Sequence, residues 1–343
     1  MGGAADSLLT APARGAWTAA LARLAGDRFL LGMVAAVVAA SLAPDLGRTG
    51  GMLGVGVVAD WGVFAIFFLH GMGLSTERLR GGLARWRVHA VVQVFTFLVF
   101  PALGLALLLT VGPVLPPDFV TGVLYLCVLP STVSSSVAMT ALARGDVAAS
   151  IVNATLSTLI GVVATPVLVS LLIGPAAGSM PLGATIVAIA TMLLLPFALG
   201  QALRPWLGAW FAKRKAWTNV IDRGVILLLV WVAFSDSVAD GLWRDHGLSL
   251  LGLTLIVTAG LLAFVLWVSR TVSRRLGFSV ADEITTVFCG SKKTLASGVP
   301  MAGVLFAGHP ALGVIVLPLM FYHQLQLLVC SVLAQRYARR TGD

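Results

Sequence analysis

Ten long apolar segments constrain what this chain can fold into. Each approaches the roughly 20 apolar residues that a helix needs to cross a bilayer. Apolar residues make up 58% of the sequence and charged residues only 11%, whereas a soluble domain carries about 25% charged residues. The segments are residues 28–43, 52–72, 88–111, 118–142, 147–173, 182–203, 219–240, 248–271, 281–307 and 310–334. The sequence therefore predicts an all-α integral membrane protein with ten transmembrane helices.

The basic residues are distributed in a way that indicates an orientation. If the N-terminus is cytoplasmic, all but four of the 23 lysines and arginines fall in cytoplasmic segments. Arg48 and Arg244 fall on the opposite side, and the other two lie inside the ninth segment. Cytoplasmic loops of membrane proteins carry such an excess. We therefore expect both termini to be cytoplasmic, and the net charge of +9 to report topology rather than nucleic-acid binding.

The stretch at residues 174–181 divides the chain into two halves with five segments each. Residues 28–173 hold the first five and residues 182–334 the second five. Because five is odd, the second half enters the membrane in the opposite sense, which is the arrangement of an inverted repeat. Residues 1–27 are expected to be a cytoplasmic segment with an interfacial helix, and residues 335–343 a cytoplasmic tail.

Polar breaks occur at corresponding places in the two halves. The fourth segment contains LPSTVSSS at 129–136, and the ninth contains CGSKKTLASG at 289–298. Proline removes an amide donor, and unwound membrane helices expose carbonyls and helix ends that bind ions and polar substrate groups. The alternative is that the small residues only permit close helix packing. The breaks predict a substrate or ion site formed by Ser134, Ser135, Ser136, Ser291, Lys292, Lys293 and Thr294.

The adjacent lysines constrain this site further. A lysine at the bilayer midplane costs about 2.5 to 3.5 kcal/mol on insertion scales, so it should face a cavity or a partner. On an intact helix Lys292 and Lys293 would point about 100° apart. Both can be hidden from lipid only if the backbone is broken there.

Several motifs together resemble the bile acid:sodium symporter family over residues 28–334. They are GMGLS at 71–75, LARGD at 142–146, TP at 165–166, the ninth-segment break and FYHQLQ at 321–326. The lysine pair most closely resembles bacterial members, which implies a bacterial inner (plasma) membrane. The resemblance also implies two inverted five-helix repeats, a panel domain of spans 1, 2, 6 and 7, and a core domain of the other spans. In the core, the broken helices 4 and 9 are expected to cross.

The resemblance further implies candidate ion ligands in the core. Ser136 falls at or beside a family sodium ligand, and Ser150 matches another, so both are vestigial sodium positions. Asn153 adjoins a third ligand position, and Thr96 aligns with a glutamine of the third span, with Gln93 one turn earlier. His323 and Gln326 form a polar cluster that belongs to the core domain.

At two positions the chain departs from the family's sodium ligands. The family glutamate falls at Phe288, and its glutamine falls at Lys292. One interpretation is that a lysine ammonium replaces sodium by contacting Ser136, Ser150 or Asn153, with or without exchanging a proton. In a second, a lysine binds a carboxylate or sulfate of the substrate. In a third, the lysines only anchor the fold.

We therefore expect a secondary active transporter of organic anions or amphipathic solutes that is sodium-independent or proton-coupled. The alternatives are a non-transporting regulator or receptor connected with calcium handling, and a sodium-coupled bile acid-type symporter. No catalytic constellation is evident, so the chain is not expected to be an enzyme. The expected partners are the lipid bilayer and a small anionic substrate, with no cofactor and doubtful sodium. Solute identity, coupling ion and oligomeric state stay open.

Overall fold

A computed structural model of the protein describes residues 28–51, 53–73, 84–174, 181–239 and 243–340. The interfacial helix expected within residues 1–27 lies outside the described residues. Helices connected by short loops form the regular structure of the described part. They are α1 Arg28–Leu42, α2 Pro44–Gly47, α3 Val55–Gly73, α4 Trp86–Thr110, α5 Pro117–Val128, α6 Ser134–Leu142, α7 Val147–Leu172, α8 Leu182–Ala212, α9 Lys215–Ala239, α10 Trp243–Arg275, α11 Val280–Gly290, α12 Leu295–Leu305 and α13 Leu312–Arg340.

Six helices in the described part of the chain are long and apolar enough to cross a membrane, namely α3, α4, α7, α8, α10 and α13. Helices α1 and α5 are apolar but shorter. The predicted fourth and ninth segments are each divided into two short helices, α5 with α6 and α11 with α12. This set of long apolar helices is typical of a multi-pass membrane protein.

Several helices extend beyond the segments that hydropathy predicts, α8 and α13 among them. Helix α8 runs to Ala212 rather than 203, and α13 runs to Arg340 rather than 334. The added turns carry basic and aromatic residues, including Arg204 and the exposed Trp206 and Trp210. Such residues suit the membrane interface. They lower the hydropathy of the segment, but they can still continue a helix. The apolar segment predicted from hydropathy therefore ends before the helix does.

The helices pack in two groups. In one group, α3 packs along α8 and α9, and α1 packs against α9. In the other, α4, α7, α10 and α13 surround the two divided segments, α5 with α6 and α11 with α12. The second group holds the fully buried polar side chains discussed below, and it positions the candidate site.

Glycines allow the backbones of α3 and α8 to approach closely. A Cβ atom at Gly71 would overlap Phe197 O, and one at Gly200 would overlap Phe68 O. The Gln201 side chain crosses the same interface, donating from Nε2 to Gly71 O at 2.7 Å. Small residues commonly serve this purpose between membrane helices.

The interface between α3 and α8 provides a direct test of the packing. We expect Gly200→Ala to lower the free energy of unfolding by about 1 to 3 kcal/mol, because the added methyl group must displace backbone. Gly183→Ala on the same helix is the matched control, because a Cβ there has nothing within 4 Å. Thermal unfolding in detergent measures both. Equal melting temperatures for the two variants would contradict the described packing.

Candidate functional site

The two divided segments meet at their breaks. Helix α5 ends at Val128 and is followed by extended backbone at Leu129, and α11 ends at Gly290 and is followed by a turn and non-helical backbone. Thr294 N donates to Pro130 O at 3.1 Å, and Ser131 Oγ donates to Cys289 O at 2.6 Å. The predicted break in each segment is confirmed, and the polar backbone of one break contacts that of the other.

Buried hydroxyl groups satisfy much of the backbone that the breaks release. Unpaired backbone groups are costly in a membrane, so irregular segments occur there only where protein or water replaces the lost bonds. Four bonds of this kind surround the breaks: Tyr125 OH to Gly298 O at 2.6 Å, Tyr322 OH to Ser291 O at 2.6 Å, Thr165 Oγ1 to Val128 O at 2.9 Å and Ser131 N to Ser157 Oγ at 2.8 Å. The site is therefore held by side chains from α5, α7 and α13.

Lys293 places its ammonium among three backbone carbonyls. Its Nζ donates to Leu129 O at 2.6 Å, Cys127 O at 2.9 Å and Thr96 O at 3.0 Å. The Phe100 ring lies on another side, with its centroid 4.1 Å from Nζ. A lysine ammonium has three N–H donors, so the carbonyls satisfy all of them although the side chain is completely buried.

The origin of these carbonyls explains why they attract a cation. Cys127 and Leu129 lie at the end of α5, where the last carbonyls have no partner within the helix and carry the negative end of its dipole. Thr96 belongs to a π-helical turn of α4, Phe95–Val99, and such turns often occur at functional sites. Two elements, the end of α5 and the π-helical turn of α4, therefore direct three carbonyls at one ammonium.

Gln326 on α13 holds the backbone of Lys293 from the opposite side. Its Oε1 accepts from Lys293 N at 2.9 Å, and its Nε2 donates to Lys293 O at 2.9 Å. The same Nε2 lies 3.0 Å from His323 Nδ1. Because the Gln326 Nε2 can only donate, the His323 Nδ1 accepts. In a neutral His323 the ring proton is therefore on the histidine Nε2. The side-chain amide thus replaces helical hydrogen bonds that the break removes.

Lys292 is equally buried but has different surroundings. Its Nζ donates to Ser135 O at 2.7 Å, and the Phe288 ring centroid lies 5.7 Å away. Within the described residues, that carbonyl is its one hydrogen-bond acceptor. The broken backbone sends the two lysines to opposite sides of the contact between the breaks, as the sequence requires for hiding both.

In one interpretation a lysine ammonium contacts Ser136, Ser150 or Asn153, whereas in the described structure both Nζ atoms donate to backbone carbonyls instead. Ser136 Oγ donates to Phe288 O at 3.2 Å. Ser150 Oγ lies 3.3 Å from Thr140 Oγ1 and 3.2 Å from Cys289 Sγ. The physical reason is that these hydroxyls already have partners, whereas the end of α5 offers free carbonyls to an ammonium.

Gln93 and Asn153 come together as a separate pair. Gln93 Nε2 lies 3.3 Å from Asn153 O and 3.5 Å from Asn153 Oδ1, and Asn153 Nδ2 donates to Ala149 O at 3.1 Å. Gln93 Oε1 is buried and has no partner among the described residues. The structure therefore places this pair beside α7 rather than on the lysines.

The remaining predicted site residues have local roles. Thr294 Oγ1 caps α12 by accepting from Ser297 N at 3.4 Å. Ser291 Oγ donates to Val287 O, one helical turn earlier, at 2.6 Å. Ser134 is exposed at the start of α6, and Ser135 is half-buried. The sequence interpretation missed Tyr125 and Tyr322, although a tyrosine inside an apolar span signals a hydroxyl that needs a buried partner.

An ionic cluster lies at the other end of α11. Arg85 Nη1 lies 3.4 Å from Asp282 Oδ2, and its Nε lies 3.5 Å from Asp146 Oδ2. Buried Glu283 pairs with Arg274 at 3.0 Å and Arg270 at 3.5 Å, and it also accepts from Tyr337 OH at 2.7 Å. These acids are paired near the helix end and do not reach the lysines.

Comparisons with known proteins agree with the helix pattern. Residues 27–339 match the model of the SBF-like CPA transporter family. The chain is 48% identical over 326 residues to Uncharacterized protein PA2026 of Pseudomonas aeruginosa, covering 94% of this chain and 96% of that protein. It is 45% identical over 278 residues to "Putative symporter YfeH" of Escherichia coli, covering 80% and 82%. It is 32% identical over 316 residues to Sodium/bile acid cotransporter 7 of Mus musculus, covering 91% and 93%.

The Gln326 amide offers a test of how the break is held. We expect Gln326→Leu to lower the melting temperature, because it leaves two buried backbone groups of Lys293 unsatisfied at about 1 to 3 kcal/mol each. Gln324→Leu is the control, because within the described part of the chain the Gln324 Nε2 hydrogen-bonds to the Met33 thioether, at 2.7 Å, and its Oε1 has no partner. Equal unfolding temperatures for the two variants would show that the hydrogen bonds between Gln326 and the Lys293 backbone do not stabilise the break.

Proposed function

Because the chain belongs to the SBF-like CPA transporter family, of the bile acid:sodium symporter type, we propose that it moves organic anions or similar amphipathic solutes by alternating access without sodium. The family and the relatives that carry descriptive names are transporters, not enzymes. The alternative of a non-transporting regulator is not favoured for the same reason. A small-molecule substrate and the lipid bilayer are its partners, and the anionic character of the substrate belongs to the proposal.

We propose ten crossings arranged as two inverted repeats, residues 28–173 and 182–334. In this arrangement the first repeat is α1, α3, α4, the pair α5 and α6, and α7. The second repeat is α8, α9, α10, the pair α11 and α12, and α13. The matched position of the divided segment, fourth in each half, supports the repeat. The charge asymmetry supports cytoplasmic termini in a bacterial inner membrane.

The two packing groups support a division into moving parts. Helices α1, α3, α8 and α9 would form the panel, and the helices around the breaks would form the core. Side chains of α1 meet α13 where the groups join, since the Phe29 and His323 rings are 6.3 Å apart edge to face. Solute would bind between the groups, and motion of one against the other would give alternating access.

The observation that carries the proposed sodium independence is the Lys293 ammonium on three carbonyls. It supplies one positive charge at the contact between the breaks, and the covalent chain prevents this charge from leaving during transport. The family position for a sodium-binding glutamate holds the apolar Phe288, which is buried. Because the site contains its own positive charge and lacks this carboxylate, we expect it to bind dissolved sodium weakly.

Uptake measurements test the proposed activity. We expect purified protein in liposomes to accumulate labelled taurocholate, an amphipathic organic anion, at the same rate in sodium and in choline buffer. Protein-free liposomes measure leakage. A rate that rises steeply with sodium would contradict the proposed independence, and the absence of saturable uptake would contradict the solute class.

Removal of the internal cation provides a second test. We expect Lys293→Ala to be less stable than wild type and to be stabilised by sodium, because the open carbonyls can accept a dissolved ion. At a tenfold excess over its dissociation constant, sodium would add about 1.4 kcal/mol. Lys292→Ala is the control, because the three carbonyls keep their ammonium. A sodium response in wild type equal to that of Lys293→Ala would count against the role of Lys293.

A further inference from the structure

We propose that the two adjacent lysines have different roles, with Lys292 binding and releasing the coupling proton and Lys293 remaining a fixed cation. This inference rests on the proposed transport function and names its coupling ion. It follows from a comparison of two side chains of the same type, next to each other in one break, and both fully buried. The difference between them is in the number of acceptors that each meets.

Lys293 has the surroundings of a permanent ammonium. Its three N–H groups meet three carbonyls at 2.6 to 3.0 Å, and the Phe100 ring face adds a favourable contact with a cation. A buried charge is tolerated when its hydrogen bonds are satisfied. Loss of a proton here would leave a carbonyl of α5 or α4 without its donor.

Lys292 has the surroundings of a neutral amine. Its Nζ meets one carbonyl, that of Ser135, so an ammonium would keep two buried N–H groups without acceptors among the described residues. Unsatisfied groups on a charged donor are especially costly. A neutral amine has one donor fewer and gains a lone pair, so burial favours it in this conformation. The same amine regains its ammonium form when a conformational change admits water.

Among the described residues, the neighbours of Lys292 do not supply a compensating negative charge. On α11 they are the Phe288 ring and the Cys289 thiol, and on α13 they are the Cys330 thiol and His323. Helix α6 contributes the Ser135 carbonyl. His323 Nδ1 lies 3.0 Å from the Gln326 amide nitrogen, and both cysteines are free thiols. Adjacent Lys293 is positive, and the acids at the far end of α11 are paired with arginines.

A short route connects this amine to an accessible surface. Ser135, its acceptor, is half-buried, and the preceding Ser134 is exposed at the first turn of α6. A small shift of α6 against α11 would therefore open Nζ. One proton forms one N–H bond there and adds one positive charge, and the same proton leaves on the other side of the membrane. Together with a monoanionic solute, the cycle would be electroneutral.

The protonation state can be tested without any solute. If Lys292 is neutral when folded and protonated when unfolded, folding releases one proton, and the folding equilibrium constant rises by up to tenfold per pH unit. We expect the detergent-solubilised full chain to melt at higher temperature as pH rises from 6 to 9. We expect Lys292→Gln and Lys292→Met to reduce this rise, and Lys293→Gln to retain it. A flat wild-type profile, or an unchanged rise in both Lys292 variants, would overturn the assignment.

Proton movement in liposomes completes the test. With labelled taurocholate outside and a pH-sensitive dye inside, we expect wild type to acidify the lumen as the anion enters. Lys292→Gln should exchange labelled for unlabelled taurocholate without acidification. Weaker taurocholate binding with normal acidification would instead assign Lys292 to the solute and overturn the proposal. No wild-type uptake together with a normal pH rise in melting would count against the proposed solute and leave the Lys292 assignment supported.

Discussion

One buried cation supports the centre of this protein. The Lys293 ammonium lies where the end of α5 and the π-helical turn of α4 direct their carbonyls. Unpaired carbonyls inside a membrane are costly, and an unpaired ammonium is costly as well. Each therefore stabilises the other, and neither the interrupted helix nor the buried lysine would be tolerated alone.

The same dependence extends to the helices around the breaks. Gln326 binds both backbone groups of Lys293, and Tyr322 binds the carbonyl of Ser291 from the same helix. Tyr125 binds Gly298 beyond the break. Because α13 contacts the break through side chains rather than through apolar packing alone, displacement of α13 would change the position of the lysine backbone. His323 places this network next to α1, so motion between the packing groups can reach the site.

The sequence is informative about where the breaks occur and less so about their contacts. Proline and hydroxyl residues at 129–136 and the polar run at 289–298 locate both interruptions, because helix propensity and hydropathy are local properties. The partners of Lys293 are backbone carbonyls, which every residue possesses, so no residue type identifies them. Ser150 and Asn153 were plausible partners by type, yet the fold gives them Thr140, Cys289 and Gln93 instead. Local chemistry thus predicts a site, and the tertiary structure determines which groups in it contact one another.

The glycine contact between α3 and α8 also affects how the chain is made. Gly71 is in the first half of the chain and approaches the backbone of Phe197, and Gly200 is in the second half and approaches the backbone of Phe68. During synthesis α3 enters the membrane before its partner exists. It must wait, with an open glycine face, until α8 and α9 have been inserted. Assembly therefore includes a step that joins the two halves of the chain, and a chain that stops before α8 leaves the glycine face of α3 without its partner.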